Sequence, residues 1–120
     1  MYDIELYSDN NGNSELEEYL KSLRASNNKE DRVKLNKIRM YINLLAEYGL
    51  ELKEPYIKKI NKEIWELRPL RNRILFVSWV NNKFILLNYF IKKTQKTPKI
   101  EIEKAMRLYQ DYKKRSEENE

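Results

Sequence analysis

The apolar positions of this chain change rhythm along its length, and each rhythm predicts an element. Residues 2–7 (YDIELY) alternate, with Tyr2, Ile4 and Leu6 on one side and Asp3 and Glu5 on the other, before the turn signal Asn10-Asn11-Gly12-Asn13. That period of two is a strand. From Ser14 the spacing lengthens: Leu16, Leu20 and Leu23 recur at helical intervals until the polar break Ala25–Lys29. Ser14 and Glu17 have the capping-box separation, so a first helix is expected over 14–24. Leu35, Ile38, Ile42 and Leu45 form a second stripe that ends at Gly49, a residue suited to a left-handed stop, which predicts a helix over 30–48.

Residues 50–63, with Pro55 and the pair Lys58-Lys59, keep no clear period and read as a loop with a short strand around Tyr56–Ile60. Short apolar runs follow: Glu63–Arg68, a Pro69-Leu70 corner, Arg73–Val80, an Asn81-Asn82 hairpin turn, and Phe84–Ile91. These predict three antiparallel strands in succession. The last two are apolar on both faces, as central strands covered by helices are. Thr97 as N-cap and Pro98 at the first helical position then open a final helix, with Ile102, Ala105, Leu108 and Tyr112 turned inward. A single domain over 1–114 is expected, with 115–120 as a flexible tail. The order of elements is that of an α+β fold.

Composition narrows the chemistry. A chain of 120 residues suits one core, and 41% hydrophobic residues can fill it, while 36% charged residues leave an ionic surface. There is no cysteine and no histidine. That excludes thiolate nucleophiles, zinc-thiolate sites, a Ser-His-Asp triad and a histidine-based RNase mechanism. Any catalysis falls to Lys, Arg, Tyr or carboxylates. No run of 18 apolar residues and no leader pattern is present, so the chain is expected in the cytoplasm, off the membrane.

Charge is distributed unevenly. Residues 53–99 hold 12 Lys/Arg against 3 Asp/Glu, whereas residues 1–52 hold 7 against 10 and residues 100–120 hold 5 against 6. A positive field gathered on one structural unit is a footprint for a polyanion, nucleic acid first. Along the strand from Glu63, alternation puts Ile64, Glu66 and Arg68 on one face and Trp65 and Leu67 on the other. Arg68, Arg71 and Arg73 then crowd one sheet edge, where planar guanidiniums match phosphate oxygens. Lys92 and Lys93 end the last strand, returning beside Glu63–Arg68 or at the opposite edge according to register. Singly, each cation reads as a solvated strand end; as a set they read as a phosphate site. Trp65 and Trp79 read as core. Tyr89, close to the lysine pair, is either a core aromatic or a surface group able to stack on a base or donate a proton. Glu66, isolated among cations, is either a general base or, as the better reading, a salt-bridge partner for Arg68 or Arg73.

The strings EIWELRPLRNRILFVSW and FILLNYFIKKTQKTPKIEIEKA, with LLAEYGLELKEPYIKKI upstream, resemble the phage-derived Gp49-like, or HigB-like, branch of the RelE/ParE toxin superfamily of type II toxin–antitoxin modules, over about residues 2–112. The resemblance implies a RelE-like α+β fold: a small antiparallel, mixed-edge sheet flanked by two N-terminal helices and a C-terminal helix. It also implies a ribosome-dependent mRNA endoribonuclease, needing no metal and no cofactor, in which the ribose 2′-OH attacks its own phosphate. Arg73, Arg68, Lys93 and Glu66 would carry the chemistry, and Arg71, Lys92, Lys58, Lys59, Tyr89 and Lys96 would bind RNA. The implied partners are a cognate HigA-like antitoxin, mRNA and the ribosome, with operator DNA reached only through the antitoxin complex. ParE-like relatives offer another reading, a toxin without nuclease activity that binds DNA gyrase. Relatives often place a histidine near Asn88, in strings like LLHGF, where this chain has LLNYF.

Overall fold

The computed structural model describes residues 1–118, in the order β1 (Asp3–Leu6), α1 (Glu15–Ala25), α2 (Lys29–Tyr48), β2 (Ile57–Lys59), β3 (Trp65–Leu67), β4 (Asn72–Trp79), β5 (Lys83–Ile91) and α3 (Lys99–Glu118). The strands form one mixed sheet in the order β1-β5-β4-β3-β2. This is the α+β architecture expected from the sequence, with the small β2 strand present inside the 50–63 segment. No helix among the described residues is long and apolar enough to cross a membrane.

Local chemistry sets the helix ends. Ser14 Oγ accepts the Glu17 N–H at 3.1 Å and Asn28 Oδ1 accepts the Asp31 N–H at 2.8 Å, each satisfying a donor that the first turn leaves unpaired. Gly49 ends α2 at φ 59°, and a Cβ there would lie 2.6 Å from the Tyr2 ring. Glycine is therefore required twice over, by backbone conformation and by the close approach of Tyr2. A short 3-10 turn, Gly49–Leu52, follows.

The sheet separates two apolar layers. On one face Leu16, Leu20, Leu35, Ile38 and Leu45 of α1 and α2 pack on Leu67, Ile74, Phe76, Phe84 and Leu86. On the other, Ala105, Leu108, Tyr109 and Tyr112 of α3 cover Ile64, Leu75, Val77, Ile85 and Leu87. Both faces of β4 and β5 are thus buried, which explains their unbroken apolar runs. The two tryptophans sit half-buried at the margins of these layers, Trp65 against the first and Trp79 against Tyr109 and Tyr112. β4 and β5 join through Asn81 and Asn82, both with positive φ, as a tight right-twisting hairpin needs.

β1 runs parallel to β5, Asp3 beside Lys83 through Leu6 beside Leu86. Tyr7 N–H adds one more bond to the Leu86 carbonyl, and the chain then leaves the sheet. An extra residue, Leu87, bulges β5 at that point, opposite Leu75 and Phe76.

Two expectations need correction. Residues 115–118 continue α3 rather than forming a tail, because Arg115 pairs with Asp111 at 3.0 Å and donates to the Ser8 carbonyl; residues 119–120 lie outside the described residues. Thr97 does not cap α3, whose first-turn N–H groups of Glu101 and Ile102 bond to the Pro98 carbonyl. The Thr97 hydroxyl is committed elsewhere.

Candidate functional site

Strand pairing determines which cations meet. Leu67 lies opposite Ile74, so the end of β3 that leads into Arg68 runs beside the beginning of β4, where Arg73 stands. Lys58 of β2 is the register partner of Glu66. These side chains share the face covered by α3, as alternation predicts for Glu66 and Arg68.

The Glu66 carboxylate is the hub. It is only 2% exposed, accepts the Thr97 hydroxyl at 2.7 Å, and has Arg68 Nε at 3.3 Å and Arg73 Nε at 3.9 Å. The Arg68 contact is an ion pair whose angle is too poor for a hydrogen bond, and Arg68 Nε has no other partner. Arg68 also faces Glu54 at 3.8 Å and is about one-fifth exposed. Arg73 is more deeply set, and its Nη1 donates to the carbonyls of Leu70 and Asn72, both at 2.8 Å. Burial and the neighbouring Arg68 guanidinium pull the Arg73 pKa down from its ordinary value, against the opposing pull of Glu66. In the buried part of the site two guanidiniums face one carboxylate, Glu54 lying largely in solvent, and an anion approaching there interacts more strongly than it would in bulk water.

The corner that carries the arginines is itself pinned. Leu70 adopts φ 58°, a conformation costly for a branched side chain. Asn72 N–H bonds to the Pro69 carbonyl at 3.0 Å, and the Tyr19 hydroxyl of α1 donates to Asn72 Oδ1 at 2.6 Å. The corner is thus clamped from both faces of the sheet.

Arg71, Lys92 and Lys93 gather around that corner rather than at Glu66. Arg71 Nη2 donates to the Lys92 carbonyl at 2.9 Å, and Lys92 N–H returns a bond to the Arg71 carbonyl at 2.7 Å. This settles the register left open by the sequence: the lysine pair returns to the arginine end of the sheet, one strand beyond β4. With Lys34 of α2 they line a shallow groove of about 480 Å³. Lys96 is exposed in the 92–98 connection. Lys59 points to the opposite face from Lys58, its Nζ 5.6 Å from the Trp65 ring. Tyr89 likewise turns to the α1 side, stacked on Tyr19 at 4.1 Å. The structure brings neither Lys59 nor Tyr89 to the carboxylate hub.

Two further residues belong to this face. Thr97 was legible only as a helix cap, and nothing local announces its bond to a carboxylate 31 positions away. Asn88 follows Leu75 in register on the same face, fully buried, with Nδ2 at 3.3 Å from the Glu101 carbonyl and Oδ1 without a protein partner. Among the described residues, no group of three or more Asp or Glu is placed to hold a metal ion.

No curated protein matches the chain. A family model does, that of the phage-derived protein Gp49-like family (DUF891), over residues 18–110. The matched span takes in most of α1, all of α2, every strand from β2 to β5 and the first part of α3, and with them the whole carboxylate hub. The chain therefore belongs to the phage-derived Gp49-like family, a family associated with toxin–antitoxin modules.

Proposed function

We propose that this protein is the toxin of a type II module, a HigB-like endoribonuclease that cleaves mRNA on the ribosome and is silenced by a HigA-like antitoxin. The observation that supports this reading is the Arg68–Glu66–Arg73 cluster, with Lys58 opposite the carboxylate, set in the most cationic stretch of the chain. Cleavage by the ribose 2′ oxygen forms a bond from that oxygen to phosphorus and breaks the bond to the 5′ oxygen. Charge accumulates on the phosphorane in between. Fixed guanidiniums stabilise that charge without having to reorganise at the moment of reaction. Glu66, enclosed by three partners, acts here as the group that holds the guanidiniums in place. Arg68 and Lys58, the more exposed cations, meet the phosphate; the 2′-OH proton passes to water, a lysine ammonium gives one to the leaving 5′ oxygen, and that lysine is reprotonated from solvent. Ribosomal alignment of the mRNA supplies the in-line geometry.

The test is a reconstituted translation reaction with mRNA 5′ ends mapped by primer extension. Cuts are expected only when ribosomes initiate, and they should disappear in Arg68→Ala and Lys58→Ala while circular dichroism stays unchanged. Growth arrest in cells with no cuts in either reaction would overturn the nuclease reading in favour of a protein target such as gyrase.

A further inference from the structure

β5 has a neighbour on its outer side only as far as Leu86. From Leu87 to Ile91 it forms the open edge of the sheet. Lys92 N–H points inward to β4, so alternation along the strand turns the backbone groups of Tyr89 and Ile91 outward, away from their β4 partners. A groove of about 750 Å³ runs along the Leu87–Tyr89 part of this edge, between α1 and α3. Its wall is the Tyr19–Tyr89 stack, with rings within 7° of parallel, and its rim carries Asp9, Glu15 and Glu18 against Lys104, paired with Glu15, and Lys21, which meets Glu18 only in an exposed 4.0 Å contact that a ligand cation can displace. An RNA backbone would be repelled here. An unpaired strand edge beside a groove is the template for strand addition, in which main-chain bonds give affinity and the groove selects side chains. Carboxylates and tyrosine faces both attract cations.

We infer that this edge docks an extended, lysine- or arginine-bearing peptide segment of a partner protein, added as a further strand beside β5. The cationic side chains would lie over Tyr19 and Tyr89 and meet Glu18 and Asp9. The inference is independent of the nuclease reading, because none of these groups touches Glu66.

The probe is a capped peptide of about seven residues alternating Lys and Val, with a Glu/Val peptide as control. Binding is read by fluorescence anisotropy on the full chain, and the edge by amide hydrogen exchange. Expected are binding of the Lys/Val peptide alone, slowed exchange at the Tyr89 N–H, and affinity weakened on the order of tenfold by Glu18→Lys, an exposed change that leaves the fold intact. Equal binding of both peptides, undiminished binding to Glu18→Lys, or binding without protection of Tyr89 would overturn the proposal. So would sedimentation showing that a second copy of the chain already occupies the edge.

Discussion

The two sides of the sheet treat charge in opposite ways. At the β2–β4 corner, two arginines are drawn inward onto a buried carboxylate, a threonine hydroxyl and main-chain carbonyls, so their positions are fixed by the fold. Along β5, acidic and aromatic groups line a groove beside backbone that no strand covers. The first arrangement suits a ligand whose charge must be met at a set distance; the second suits a partner that brings its own backbone. A single sheet thus offers a cationic corner and an anionic edge, far enough separated in character that one polyanion cannot use both.

The sharpest way to break this contrast is Glu66→Ala, which leaves Arg73 enclosed without its counter-charge. A loss of about 3–5 kcal/mol is expected from urea unfolding, the magnitude for removing one partner of a buried ion pair. A loss below about 1 kcal/mol would mean that the corner is solvated in practice and its arginines are not fixed. Thr97→Val removes one hydroxyl donor while keeping shape. It should cost about 1.5–3 kcal/mol, as for a hydrogen bond to a charged group, and, on the proposed nuclease reading, should reduce mRNA cleavage while leaving peptide docking at β5 unchanged.

Raising pH separates the two sides without mutation. Burial and the Asp111 bond push the Tyr7 phenol up to about 12 from 10.0, and burial raises Tyr19 and Tyr89 as well. The folded state keeps these protons past the point at which the unfolded chain releases them. Stability present below pH 10.0 is therefore lost as pH climbs towards about 12. Tyrosinate absorbance should rise at higher pH than for a free phenol, and hydrogen exchange should increase around β1 and β5 before it does at the arginine corner. The smallest effect is that of Glu18→Lys on stability, expected within about 0.5 kcal/mol because the side chain is solvent-exposed, even though peptide affinity falls on the order of tenfold.

What was legible in the sequence was local. Helix stripes, the Ser14 cap, the Gly49 stop and the Asn81-Asn82 turn are governed by chemistry within a few residues, and each stands where its pattern puts it. The shared face of Glu66 and Arg68 was also legible, since strand alternation reaches two positions with certainty. Register was not. Whether Lys92 returned beside Arg71, which of Lys58 and Lys59 met Glu66, and which face received Tyr89 depend on pairings between distant strands, and a slip of one residue inverts each answer. Thr97 shows the same limit: its position before Pro98 fits a cap, and only the folded neighbourhood of Glu66 diverts its hydroxyl.

The parallel pairing of β1 with β5 has a consequence in time. Asp3 finds its place only beside Lys83, and the Glu66 hub is complete only when Thr97 arrives. Such long-range closures are slow steps in folding, and synthesis runs from the N-terminus. The cationic corner therefore assembles after most of the chain has been translated. A nascent chain passes through nearly its whole synthesis before the fixed guanidinium pair exists.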